Sequence, residues 1–237
     1  MKIVFSAPSL DDFIHLLRAW RFWVLGALLG ALLGAGLYLV RPPDYRARAT
    51  VVVSFNMEKS WPNKPDNELF YYLERETRKV EAVAWADATL QQVADQTGLT
   101  VSALRSGKLD LSQPQDGGWH FYASDASANL ARKLAASWAQ AFTAQVQLGI
   151  QNAVSLDAAR KALESSPDDP QYRAVVNQLE TSSLAITPEL QVSLSQGKDL
   201  PTGRTSGIGT YLLAGAGLSM ALAALLVLFF AHTEQKA

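Results

Sequence analysis

The chain has no cysteine, only three histidines, and two long stretches without a single charged residue. Without cysteine there are no disulfides, no thiolate metal ligands and no Cys nucleophile. His15, His120 and His232 lie far apart in sequence, so their spacing matches no metal motif. No P-loop, G-x-G-x-x-G, G-x-S-x-G or H-E-x-x-H pattern occurs. Asp168 and Asp169 are adjacent carboxylates, but they sit between Pro167 and Pro170 and read as turn residues. An acid/base pair needs two environments that drive its pKa values apart. These absences point away from an enzyme, and no cofactor or metal is expected. A basic excess is missing too. Residues 41–207 hold all but four of the 21 Lys and Arg and all but three of the 22 Asp and Glu, a net charge of −2. A nucleic-acid partner is therefore not expected.

The uncharged stretches are the strongest positive signal. Phe22–Val40 gives 19 residues without a charge and Ile208–Ala231 gives 24. About 20 apolar residues, at a rise of about 1.5 Å each, cross a hydrocarbon core about 30 Å thick. The expected organisation is a cytoplasmic leader (1–21), a transmembrane helix (22–40), an extracytoplasmic domain (41–207), a second transmembrane helix (208–231) and a cytoplasmic tail (232–237). Lys2, Arg18 and Arg21 favour a cytoplasmic leader, although Arg41, Arg46 and Arg48 flank the other end of that span. The first run exceeds the h-region of about 7–15 residues of a signal peptide. Cleavage after Ala49 would cut a strand, so an uncleaved anchor is expected. Leu10, Phe13, Ile14 and Leu17 would share one face of a short leader helix behind Ser9-Leu10-Asp11-Asp12. Trp20 and Trp23 then fall where aromatic residues settle at a membrane interface.

Between the runs the pattern reads β-α-α-β-β-α-α-β, an α+β domain. Arg41-Pro42-Pro43 stops the first helix. Tyr45 to Phe55 alternates as a strand, with Tyr45, Ala47, Ala49, Val51 and Val53 on one side. Asn56 to Asp66 reads as a loop. Helices are predicted over 67–81 and 84–97, the second ending at Gly98. Strands at 108–112 and 119–124 flank the turn formers Pro114 to Gly118. A long helix from near Ser127, capped by Asp125 or Ser124, runs to Glu164. Its apolar residues Leu130, Leu134, Trp138, Phe142, Val146, Ile150 and Val154 recur every four positions. Such a stripe rotates about 40° per step and cannot face one flat partner throughout. The first half is expected on the domain's own sheet. The second half, with Phe142, Val146, Ile150 and Val154 as the contact set, is expected on a neighbouring element or a second protomer. Ser165 to Pro170 reverses the chain into a short helical hairpin arm over 171–183. Leu190–Leu194 is the expected last strand, beside the first.

Gly26, Gly30 and Gly34 place a smooth strip along one face of the first span. Gly215 and Gly217 stand in a small-residue cluster of the second span, with Gly209, Ala214 and Ser219. Both sets are expected to pack helices. Their partner could be the other span, another protomer or a different membrane protein.

In layout and local segments the chain resembles the Wzz family of polysaccharide co-polymerases, the chain-length determinants. Ser9-Leu10-Asp11-Asp12 with Leu16, Trp20, Arg21 and Trp23 is similar to the family's leader. Pro42-Pro43-Asp44-Tyr45 through Val53 is similar to its P-x-Y-x-A strand after the membrane. Val83–Leu99 resembles its helix ending in glycine-leucine, and Asp125–Phe142 its alanine-rich helix. The proline-rich approach to the second span is reduced here to Pro188 and Pro201, and the helical arm is short. The tail after Ala231 has neither tyrosine nor a nucleotide motif, so a built-in autokinase is absent from the expectation. The resemblance implies a two-pass inner-membrane protein that forms a homo-oligomer and makes no bonds itself. It would set the chain length of a lipid-linked surface glycan (O-antigen, capsule or exopolysaccharide), acting with a Wzy-type polymerase. Two other classes stay open on the residues alone: an adaptor or sensor for a separate cytoplasmic kinase, and a structural envelope scaffold.

Overall fold

The computed structural model describes residues 18–60, 66–113, 118–195 and 200–234. The leader helix, the turn over 114–117, Gly197 and the last three residues lie outside these. In chain order the main elements are α1 (Trp20–Val40), β1 (Tyr45–Phe55), α2 (Asp66–Trp85), α3 (Asp87–Thr97), β2 (Leu109–Ser112), β3 (Gly118–Asp125), α4 (Ala128–Ser165), α5 (Pro170–Ser182), β4 (Leu190–Leu194), β5 (Thr202–Arg204) and α6 (Ile208–Glu234), with short helical turns at Met57–Ser60, Val101–Ala103 and Leu104–Lys108. They form two compact units. One holds the chain up to Pro43 and from Arg204 onward, the other Asp44–Gly203.

The first unit is the pair α1 and α6. Both helices are long and apolar enough to cross a membrane. Their outward leucines, among them Leu25, Leu29, Leu32, Leu213, Leu222 and Leu225, are exposed. A soluble helix pair would bury such side chains.

The second unit is an α+β domain. β1 is central in a sheet ordered β2-β3-β1-β4, and β5 also pairs with β1. The β1–β3, β1–β4 and β2–β3 pairings are antiparallel. β1 is long enough to serve β3 along Tyr45–Val52 and β4 along Val51–Phe55. Its Thr50-Val51-Val52-Val53 run suits a pleated strand, because β-branched side chains pack well there. Ala47, Ala49, Val51 and Val53 are buried on one face, as the alternation predicts. The expected last strand does lie beside the first. The three-residue β5 is an addition the pattern did not show. Between them, the Ser195 N–H donates to the Thr50 carbonyl at 2.9 Å and the Arg48 N–H to the Pro201 carbonyl at 3.1 Å.

The core lies between this face and α4. Trp138 is its centre, fully buried and 4.8 Å from the rings of both Phe121 and Trp85. Its indole Nε1–H donates to the Ala84 carbonyl at 2.8 Å, supplying a donor to the last turn of α2. Carbonyls in that turn have no partner within their own helix. Phe142 stacks on Trp119 at 5.6 Å. Gly98, with φ of 76°, closes α3 by donating its N–H to the Ala94 carbonyl at 2.8 Å. That left-handed position is costly for a side chain bearing Cβ.

Helix α4 has 38 residues and starts on Ser127, whose side chain accepts from the Leu130 N–H. The cap is thus neither Asp125 nor Ser124. Asp125 sits one step back, accepting the Ser127 N–H at 2.9 Å and an ion pair from Lys108 Nζ at 2.5 Å. At the far end Asp169 caps α5 by accepting the Gln171 N–H at 2.8 Å, and Pro170 occupies the first turn. A proline there lacks only an N–H the helix cannot use. The expected loop after β1 is instead helical over Met57–Ser60, where the Asn56 side chain accepts the Lys59 N–H at 3.3 Å. Met, Glu and Lys are good helix formers, and Asn is a good cap.

Candidate functional site

Two features stand out as functional: the seam between α1 and α6, and the sheet face that α4 leaves uncovered.

The seam is built from four-residue spacing on both helices. A β-carbon placed on Gly30 would fall on the Gly215 carbonyl oxygen, with Ser219 Cβ only 2.6 Å away. On Gly34 it would fall on the Tyr211 carbonyl, and on Gly26 it would lie 3.3 Å from Ala223 Cβ. Gly26, Gly30, Gly34 and Tyr38 therefore run antiparallel to Ala223, Ser219, Gly215 and Tyr211. Of the partners open at the sequence level, the seam uses the other helix of the same chain. Glycine makes this possible because the backbones themselves touch. Gly217 is not in the seam: nothing lies within 4 Å of a β-carbon built there. Two residues past Gly215, it points about 200° away around the helix. Ser219 and Ala223 take the places that a count of glycines misses.

Aromatic residues mark both ends of the pair. Trp20 and Trp23 stand at one end of α1, where the Arg21 guanidinium lies 6.0 Å from the Trp20 ring. At the other end Tyr38 meets Tyr211 edge-on at 5.4 Å, and Arg204 lies 5.7 Å from the Tyr38 ring. Eighteen residues separate Trp20 from Tyr38, about 27 Å of helix, close to a hydrocarbon thickness of about 30 Å.

The stripe on α4 divides as its rotation requires. Phe142 and Val146 are fully buried within their own domain. They are therefore unavailable to a second protomer. Ile150 packs at the margin of the core, and Val154 is 55% exposed. Past Val146 the buried positions move to Gly149, Ala153 and Leu156. Gly149 admits Ile186, whose Cδ1 would lie 2.7 Å from a β-carbon there. Val176 of α5 is also buried, Asn152 Nδ2 donates to the Ser182 carbonyl at 2.9 Å, and Arg160 pairs with Glu180 at 2.8 Å. The neighbouring element is thus α5 with the segment that follows it. That segment holds Leu184 and Ala185 at φ of 56° and 53°, a conformation costing roughly 1 kcal/mol or more per residue outside glycine.

On the uncovered sheet face, Arg46, Arg48 and Thr50 of β1 stand opposite Ser124, Tyr122 and His120 of β3. Asp110 of β2 lies beyond Tyr122. Arg46 reaches diagonally to Asp110 and lays its guanidinium 3.9 Å from the Tyr122 ring centre. Thr50 Oγ1 and His120 Nδ1 are hydrogen-bonded at 3.1 Å. Arg46 and Arg48 are both half-buried, and the Nε of each has neither solvent nor a hydrogen-bond partner. The residues alternating with the buried set of β1 give this face away in the sequence, but not which arginine is paired.

The Asp125 carboxyl is shifted by its surroundings. Burial pushes the Asp125 carboxyl up, but the hydrogen bonds from Lys108 and the Ser127 N–H, with the Lys108 charge, outweigh it and hold it below the usual carboxylate value. Its role is to lock the start of α4. His120 sits on the open face with Thr50 as its hydrogen-bond partner. Among the described residues no three His, Asp or Glu side chains converge as a metal would need. In sequence, the chain matches no protein-family model and no curated protein.

Proposed function

We propose that the protein is a two-pass membrane regulator of surface-polysaccharide chain length, of the Wzz co-polymerase type. The carrying observation is the layout: an α+β domain with a helical arm, entered and left through two apolar helices that grip each other by glycine. The sheet supports the same reading, since β5, which leads into α6, pairs with β1, which follows α1. In this reading α1 and α6 cross the inner membrane, with Trp20 and Trp23 at one interface and Tyr38 and Tyr211 at the other. Residues 41–207 stand outside the cytoplasm, and both tails remain inside.

The mechanism is one of presentation. Protomers assemble through surfaces that the domain does not use for its own core. They hold a lipid-linked glycan and a Wzy-type polymerase within one assembly. Length is set by how long the growing chain stays engaged, and the protein makes or breaks no covalent bond. The test is the length distribution of the surface glycan in a deletion strain, with and without the gene restored on a plasmid. Loss of a modal length, recovered with the plasmid, is the expected result. An unchanged ladder would refute the proposal.

A further inference from the structure

We infer that the groove between α3 and α4 is a binding site for a neutral glycan, whose hydroxyl groups are held by the groove's glutamines and Asp95. The groove follows from how the two helices meet. α3 packs against α4 and buries Leu90, Val93 and Ala94. Gln92, Asp95 and Gln96 are spaced i, i+3, i+4, so they share one face of α3, and all three are exposed. Gln140 and Ala144 stand one turn apart on α4 and are exposed as well. With the buried Ala141, these residues line an open groove of about 410 Å³. Ligand clefts commonly hold about 300–1,000 Å³. Gln91 Nε2 donates to Asp95 Oδ1 at 2.9 Å, which steadies the carboxylate.

The lining defines the occupant. Among the described residues the groove has no cation, no aromatic ring and no large apolar side chain. A phosphate or nucleic acid would need cations, and a protein anchor would need an apolar or aromatic pocket. What the groove offers is three amides, each with two N–H donors and an acceptor oxygen, and one carboxylate that only accepts. Neighbouring hydroxyls on a sugar ring both donate and accept, so this set satisfies them in pairs. Its polar groups face solvent, from which a ligand can reach them. The same chemistry continues along α4. No charge occurs over the 23 residues Leu134–Leu156, although 36 of the 167 residues over 41–207 are charged. Gln140, Ala144, Gln147 and Gln151 are spaced i, i+4, i+7, i+11 and are all exposed, so amides run on from the groove for about 17 Å along one face. A site extended in this way suits a polymer better than a single sugar. The inference rests on the glycan reading above and names where the glycan is held.

The test uses the full chain in fluorescent lipid nanodiscs, applied to an array of neutral oligosaccharides of hexose, 6-deoxyhexose and N-acetylhexosamine. Galacturonic acid oligomers are the acidic control. The wild type should bind at least one neutral oligosaccharide, more tightly than the acidic ones, with an affinity that rising salt leaves unchanged. Gln96→Ala combined with Gln140→Ala should weaken that binding by about tenfold or more. Ala144→Leu, which fills the groove, should abolish it. Gln178→Ala, at an exposed glutamine of α5, should change nothing. Equal binding by the wild type and the groove variants would overturn the inference. So would a silent array, and a change of subunit number in Ala144→Leu would then give the groove to a second copy. The two readings fail separately. A deletion strain that loses its modal length while the array stays silent would leave length control standing and remove this site. Neutral glycan binding with an unchanged ladder would do the reverse.

Discussion

Replacing Gly30 with leucine puts a side chain where two backbones are in contact. Any β-carbon there meets the Gly215 carbonyl, and Ser219 Cβ lies 2.6 Å away. Carbon atoms rest about 3.5–4.0 Å apart, so α1 and α6 must separate by roughly 1 Å at their crossing. A gap of that size forfeits about a quarter to a half of each dispersion contact along the seam. Overpacking of this kind costs about 1–3 kcal/mol, equivalent to roughly five- to 150-fold in the closed pair. Because the chain has no cysteine, a disulfide reporter is clean. Gly26→Cys with Ala223→Cys is the natural pair, since a β-carbon on residue 26 lies 3.3 Å from Ala223 Cβ. Bridged cysteines have Cβ atoms about 3.5–4.5 Å apart, so a small adjustment suffices. Oxidised in native membranes, the double variant should give a closed monomer on a non-reducing gel. Adding Gly30→Leu should slow closure by about tenfold. Gly36→Leu and Gly217→Leu should leave it unchanged, because nothing lies within 4 Å of a β-carbon at either place. Covalent dimers in place of closed monomers, or equal slowing by all three leucines, would refute the seam.

Two further predictions concern the domain. The Asp125 carboxyl is held below its unfolded-state value, so its stabilisation is complete above about pH 4 and is lost as pH falls through the folded-state value. Asp125→Asn should lower stability at pH 7 by about 1–2 kcal/mol and flatten the acid limb of a melting-temperature-versus-pH curve. A variant that melts like the wild type at pH 7 would contradict the role given to this ion pair. Trp138→Phe removes the hydrogen bond to the Ala84 carbonyl and leaves a gap beside Trp85 and Phe121. It should cost about 2–4 kcal/mol in denaturant unfolding, whereas Val154→Ala on the exposed side should stay within about 0.5 kcal/mol.

Local chemistry made much of this architecture readable in the sequence. The absence of charge marks α1 and α6, alternation marks β1, and Asp169-Pro170 marks the reversal into α5. Each signal depends on a residue and its near neighbours. What escaped depends on distant partners. Glycine content alone put Gly217 in the seam, although the direction of its Cα excludes it and favours Ser219 and Ala223. The α4 stripe showed that its face must rotate. Only the packing of Trp119 and Phe121 against Phe142 fixes where the core ends, and so removes Phe142 and Val146 from any protomer contact. In the same way, Arg46 and Arg48 are equivalent in the sequence. The register of β2 on β3 lines Asp110 up with Arg48 across Tyr122, yet it is Arg46 that reaches diagonally and takes the ion pair.

The central claim is that this anchored scaffold sets glycan length, and the most direct measurement is a gel of surface glycan from a deletion strain complemented with wild type or with Gly30→Leu at matched membrane levels. The account predicts a modal length restored by the wild type and a broadened or shifted distribution with Gly30→Leu. A ladder that deletion leaves unchanged would contradict it.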